Sequence, residues 1–127
     1  MTTSESAREP HNPFVATLIA SAMMGADEKL GINPVHLDLR DLVDSFDALV
    51  ITSGRNDRQV RAIAEEIERL VEVALDVKPL RVEGLSDGEW VAMDYGDVVV
   101  HVFDEEAREY YDLEHLWNAA PSESLVR

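Results

Sequence analysis

From Asn56 to Leu75 the apolar residues Val60, Ile63, Ala64, Ile67, Leu70, Val71, Ala74 and Leu75 return at a period of about 3.6, with charged residues filling the intervals. A helix with a single apolar stripe is marginal alone and needs a second layer to bury that stripe. The chain supplies one directly upstream: Asp47 to Thr52, DALVIT, is a nearly continuous apolar run and reads as a buried strand. Asn56 followed by Gln59 makes a capping-box start, and Lys78-Pro79 makes a stop. The chain therefore carries a buried strand of a sheet directly followed by an amphipathic helix that needs a layer to pack on.

The remaining segments complete that sheet. Val35 to Leu39 alternates apolar with polar and predicts a strand, joined to DALVIT by the acidic loop Arg40 to Phe46. Leu80 to Glu83 is a short strand that Pro79 assigns to an edge, followed by the turn-rich stretch Gly84 to Gly88. Glu89 to Asp94 and Asp97 to Phe103 form a hairpin around Tyr95-Gly96. A first helix runs from Phe14 through Leu18, Ile19, Ala22 and Ala26 until Gly31 and Pro34, and Asp104 caps a last helix through Trp117. The predicted order is αββαβββα: one α+β domain over residues 14–118, with a mixed sheet of about five strands and flanking helices. Residues 1–13 read as a disordered arm and residues 119–127 as a flexible tail.

The hairpin sorts its residues by parity. With Asp94 opposite Asp97, Ala92 opposite Val99 and Trp90 opposite His101, one face carries Val91, Met93, Val98, Val100 and Val102, a core face. The other carries Trp90, Ala92, Asp94, Asp97, Val99, His101 and Phe103. That mixture is too aromatic for plain solvent and too acidic for an interior, so either a terminal helix covers it or it docks a partner.

Charge narrows the partner. The chain has 26 acidic against 11 basic residues, a formal net charge of −15, which repels a phosphate backbone and favours a basic partner. Cysteine is absent, which removes disulfides, Cys-ligated zinc and thiol catalysis, and fits a cytoplasmic location. Phe14 to Met24 with Ala20-Ser21-Ala22 imitates a signal peptide, yet Glu5 and Glu9 stand beside Arg8 where a basic cluster belongs, so a first helix is the better reading. No apolar run approaches the ~20 residues of a membrane span, and no membrane partner is expected.

Three blocks carry a resemblance. DALVITSGRNDRQVRAIAEEIE (Asp47 to Glu68), WVAMDYGDVVVHVF (Trp90 to Phe103) and REYYDLEHLW (Arg108 to Trp117) resemble the signature blocks of the ribosomal silencing factor family, also called the Iojap or RsfS family. They stand in the same order with nearly the same spacing, from about Val35 to Trp117. The resemblance implies a nucleotidyltransferase-like α+β fold without that catalysis, and a translation repressor. Such a factor binds the large ribosomal subunit through ribosomal protein number fourteen, blocks joining of the small subunit, and tends to form a homodimer when free. The motif positions carried over are Trp90, Asp94, Gly96, Asp97, His101, Arg108, Tyr111, Leu113, Glu114, Leu116 and Trp117. Joined with the hairpin parity, they give a partner-binding set of Trp90, Asp94, Tyr95, Gly96, Asp97, His101, Arg108 and Tyr111, with no catalytic residue, metal ligand or cofactor. The loop RDLVDSF and the amino-terminal arm depart from the family pattern.

The alternative reading is a divalent-metal-dependent nucleotidyltransferase. That chemistry needs a Gly-Ser pair opening a helix and carboxylates on adjacent strands to hold Mg²⁺. Ser53-Gly54 precedes the amphipathic helix, and Asp38, Asp44, Asp47, Asp94 and Asp97 are available, but no Asp-x-Asp pair shares a strand face. His101 and His115 match no zinc spacing and read as structural. Arg55, Arg58 and Arg61 are a minor candidate contact for ribosomal RNA, against the plainer expectation that Arg61 pairs with Glu65 one turn on. In the last helix Tyr110, Leu113 and Trp117 form a stripe that assigns Trp117 to the core and leaves Tyr111 for the surface.

Overall fold

A computed structural model of the chain describes residues 9–125; residues 1–8 of the expected arm and 126–127 of the expected tail lie outside them. The elements are α1 (Pro13–Glu28), β1 (Ile32–Asp38), β2 (Ala48–Gly54), α2 (Asp57–Leu75), β3 (Arg81–Glu83), β4 (Trp90–Asp94), β5 (Val98–Asp104), α3 (Glu105–Tyr111), α4 (Leu113–Leu116) and β6 (Ser122–Ser124). They build a six-stranded mixed sheet in the order β3-β4-β5-β2-β1-β6. Among the described residues only β2 and β5 pair in parallel; the other neighbours are antiparallel.

DALVIT belongs to β2, in the middle of the sheet and buried along its whole length. α1 and α2 lie on one face of the sheet and pack on each other. Their approach is close: a Cβ on Gly25 would stand 2.9 Å from the Ile67 Cα, so only glycine fits there. Between helices and sheet, Leu18, Ile63 and Ile67 meet Val50, Val91, Met93, Val100 and Val102 in the main core. Each such side chain contributes roughly 1.5–3 kcal/mol of transfer free energy.

The helix ends follow capping chemistry. Asn12 accepts from the Val15 N–H at 2.9 Å with Pro13 opening α1. Asn56 accepts from the Gln59 N–H at 2.8 Å; Gln59 in turn accepts from the Arg55 N–H at 2.7 Å, one residue before the reciprocal bond of a capping box. α2 stops at Leu75 because Asp76 turns left-handed at φ 57°, before the expected Lys78-Pro79 stop is reached. Arg61 pairs with Asp57 at 3.0 Å, one turn back, in place of the expected Glu65.

Three more departures shape the other face. The expected last helix breaks at Asp112, φ 49°, into α3 and the short α4. This sends Leu113 and Trp117 onto a second cluster with Leu37, Leu49, Ile51 and Phe103, and leaves Tyr110 82% exposed, off the expected stripe. Residues 122–124 of the expected tail pair with β1 as an edge strand. Ahead of α1, the Glu9 and Pro10 carbonyls accept from the Arg40 guanidinium at 2.9 and 3.2 Å, which ties down the end of the expected arm.

Candidate functional site

The hairpin pairs Trp90 with Phe103, Ala92 with His101 and Asp94 with Val99, a register two residues away from the expected one. Its tight turn is Gly96-Asp97, closed by the Tyr95 N–H donating to the Val98 carbonyl at 2.9 Å, instead of Tyr95-Gly96. A slip of two residues preserves every side chain's face. Val91, Met93, Val98, Val100 and Val102 are accordingly buried under α1 and α2, and the aromatic and acidic residues face the other way. Gly96, at φ +91°, occupies the first central position of the turn, where residues with a Cβ are strained.

Moving the turn changes one expected site residue. Tyr95 becomes a strand-like position of the core face and is buried there, so it is absent from the surface it was assigned to. Its hydroxyl has no hydrogen-bond partner among the described residues, and burial, together with Glu68 and Glu72, raises its pKa.

On the opposite face Trp90 is the hub. Its ring stacks on Phe103 with centroids 5.0 Å apart and leans on Tyr111 at 4.5 Å. Its indole N–H donates to His101 Nδ1 at 2.8 Å. His101 is therefore an acceptor at Nδ1, and burial drives its pKa down to about 4, so the ring is neutral at pH 7. Phe103 is fully buried beneath this layer, whereas Tyr111 remains 49% exposed, with Tyr110 edge-on to it at 5.0 Å. The result is a half-covered aromatic patch, formed where Tyr111 of α3 meets Trp90 of β4 and Phe103 of β5.

Carboxylates stand at the hairpin end of the patch. Asp94 Oδ1 accepts from the Gly96 N–H at 2.8 Å, and Oδ2 lies 3.8 Å from the Arg81 guanidinium. Asp97 is exposed, and its backbone carbonyl accepts from Asp47 and Ala48.

Arg108, also expected at the surface, turns inward. Its guanidinium donates to the Ile32 and Asn33 carbonyls, to the Ser53 hydroxyl and to Glu114, linking the start of β1, the end of β2 and α4. This arrangement also bears on the nucleotidyltransferase reading: Ser53 is buried and accepts from Arg108, and Asp38 is held by Arg40. Among the described residues no group of three or more His, Asp or Glu is placed to hold a metal. Of the three clustered arginines, Arg61 reaches back to Asp57 and the Leu85 and Ser86 carbonyls, while Arg55 and Arg58 are exposed. Tyr110 is the patch residue that sequence reasoning missed; the stripe with Leu113 and Trp117 assigns it to the core, and α3 turns it to solvent.

Residues 12–127 match the family model described as ribosomal silencing factor during starvation. The chain belongs to the ribosomal silencing factor family. A ribosomal silencing factor of Halalkalibacterium halodurans is 38% identical over 109 residues, covering 85% of this chain and 92% of that protein. The crystal structure of a Chromobacterium violaceum protein matches this fold with a TM-score of 0.76 at 35% identity, covering 80% of this chain and 83% of that one. A mouse protein named mitochondrial assembly of ribosomal large subunit protein 1 is 32% identical over 73 residues, 56% of this chain and 32% of its own length. Membership identifies a ribosome-associated regulator of translation, as the three blocks implied, and the α+β fold with its mixed sheet agrees. No helix among the described residues is long and apolar enough to cross a membrane.

Proposed function

We propose that this protein is a translation repressor without chemistry of its own, which binds the large ribosomal subunit through ribosomal protein number fourteen and sterically prevents the small subunit from joining. The observation that carries the proposal is the patch itself: Trp90 and Tyr111 in contact, partly exposed, with Asp94 and Asp97 at its end. Aromatic anchors within a polar rim are the usual composition of a protein-binding hot spot. The net charge of −15 favours a basic protein over bare RNA as the main contact, leaving Arg55 and Arg58 for a minor RNA contact. The mouse relative's name, which refers to the large subunit, supports the choice of subunit. A cytoplasmic location and a homodimer in the free state belong to the same reading.

Co-sedimentation with separated subunits tests it. The protein should pellet with large subunits, leave small ones unbound, and reduce the fraction of joined ribosomes on a gradient. Binding should weaken with salt, since the Debye length falls from about 10 Å at 0.1 M to about 3 Å at 1 M. Tyr111→Ala and Trp90→Ala should each weaken binding by about 2 kcal/mol or more. Equal pelleting with both subunits, or with neither, overturns the proposal.

A further inference from the structure

On the other side of the sheet, between α1 and the β1–β6 edge, a cavity of about 540 Å³ opens to solvent. This is within the usual size range of small-molecule sites. One wall is apolar, with Ile19 and Met23 of α1; the other is polar, with His11, His36 and Glu123.

The polar wall holds a buried imidazole without a hydrogen-bond partner among the described residues. The His11 side chain is nine-tenths buried, and neither of its ring nitrogens has a hydrogen-bond partner among the described residues. The nearest carboxylate, Asp38, is 3.8 Å away and already held by Arg40 at 2.6 Å. A buried imidazole without partners is costly, and such groups mark sites completed by something else. His36 stands across from it with ring centroids 6.5 Å apart, and its Nδ1 lies 3.7 Å from the Glu123 carboxylate, which is mostly exposed at the rim. Burial lowers the pKa of both histidines, so each is neutral at pH 7 and carries one N–H donor and one lone pair.

The carboxylate at the rim and a chain of net charge −15 favour a cation over an anion, and the lone pair of a neutral imidazole can accept from it. The wall of Ile19 and Met23 selects a hydrocarbon body. We propose that this cavity binds a small organic amine, its apolar body against Ile19 and Met23, its ammonium group donating to His11 and paired with Glu123. Metal binding is a poorer fit, because no group of three ligating side chains is placed for it among the described residues.

Histidine ring NMR on the full chain tests the proposal, with phenethylamine as probe and 3-phenylpropionate as its matched anion. The chain has 4 histidines, and His101 and His115 lie away from the cavity, so they serve as internal controls. Millimolar phenethylamine should shift the His11 and His36 signals saturably and leave the other two in place. The anion should bind about tenfold more weakly or not at all. Glu123→Gln, at an exposed position, should weaken the amine several-fold, and Ala20→Trp, at an exposed position on the cavity wall, should abolish the shifts while the chain remains folded. Spermidine, a cation without a compact apolar body, should shift these signals far less. Absence of saturable shifts, equal binding of amine and anion or of amine and spermidine, similar shifts at all histidines, or shifts that survive Ala20→Trp would each overturn it.

Discussion

Replacing Arg108 by alanine should destabilise the fold more than Tyr111→Ala or Asp97→Lys at the exposed patch. The guanidinium donates to the Ile32 carbonyl at 2.8 Å, the Asn33 carbonyl at 2.9 Å, the Ser53 hydroxyl at 3.1 Å, and both Glu114 oxygens at 3.0 and 3.1 Å. Its side chain is 12% exposed, so water cannot replace most of these bonds. Removing one partner of a buried ion pair costs roughly 3–5 kcal/mol. Glu114 is 35% exposed and recovers part of its hydration, which puts the change at the lower end, about 3 kcal/mol. Against a total of roughly 5–15 kcal/mol, and at about 3–5 °C per kcal/mol for a domain of this size, melting should fall by about 9–15 °C. Arg108→Lys keeps the charge but cannot fork to carbonyls and carboxylate together, and should lose about half as much. Calorimetric melting is the assay, run beside large-subunit co-sedimentation well below the melting range. If Arg108→Ala melts within about 3 °C of the parent and yet loses binding, Arg108 is a partner contact and the inward assignment is wrong.

Acid should weaken the fold through His101: it titrates near 4 when folded, against roughly 6.5 unfolded, so the unfolded chain binds more protons between those values. The stability it contributes, about 3 kcal/mol, is present above pH ~6.5 and lost as pH falls toward ~4; melting scans should show a shallower acid slope for His101→Gln. Asp97→Lys should leave melting unchanged and weaken large-subunit binding, whereas Asp94→Lys should also cost about 1 kcal/mol of folding, because it removes the acceptor of the Gly96 N–H and faces Arg81. Normal binding by both variants in co-sedimentation would move the docking surface away from the hairpin. Gly96→Ala should destabilise by about 1–3 kcal/mol in chemical denaturation, since the nearest atom to a new Cβ is 3.7 Å away and the penalty is the positive φ, and Gly96→Val should cost more because a β-branched side chain is worse at positive φ; an alanine variant as stable as the parent would remove the strain argument.

Local periodicity was enough to read the layers of this fold. The stripe of α2 and the alternation in β4 and β5 put Ile63, Ile67, Val91, Met93 and Val100 in one core, because side-chain direction repeats every ~3.6 residues in a helix and every ~2 in a strand. Parity also survived the wrong hairpin register, since a slip of two residues returns each side chain to its face. The position of the turn, however, decided whether Tyr95 pointed outward, and that depended on which backbone bond closed the hairpin.

Other features had no local signature. Ser122 to Ser124 are polar and exposed, and form a strand only because β1 leaves an edge whose backbone groups need partners. The break at Asp112 places Leu113 and Trp117 on the second face, a surface made by residues from Leu37 to Phe103. Arg108 resembles any motif arginine in sequence, and only tertiary structure brings two carbonyls of β1, a β2 hydroxyl and the Glu114 carboxylate to one point around it. Side-chain direction is a property of a few neighbouring residues and can be read from them; the partners of a long polar side chain are set by segments up to 76 residues apart, and exist only once the chain has closed.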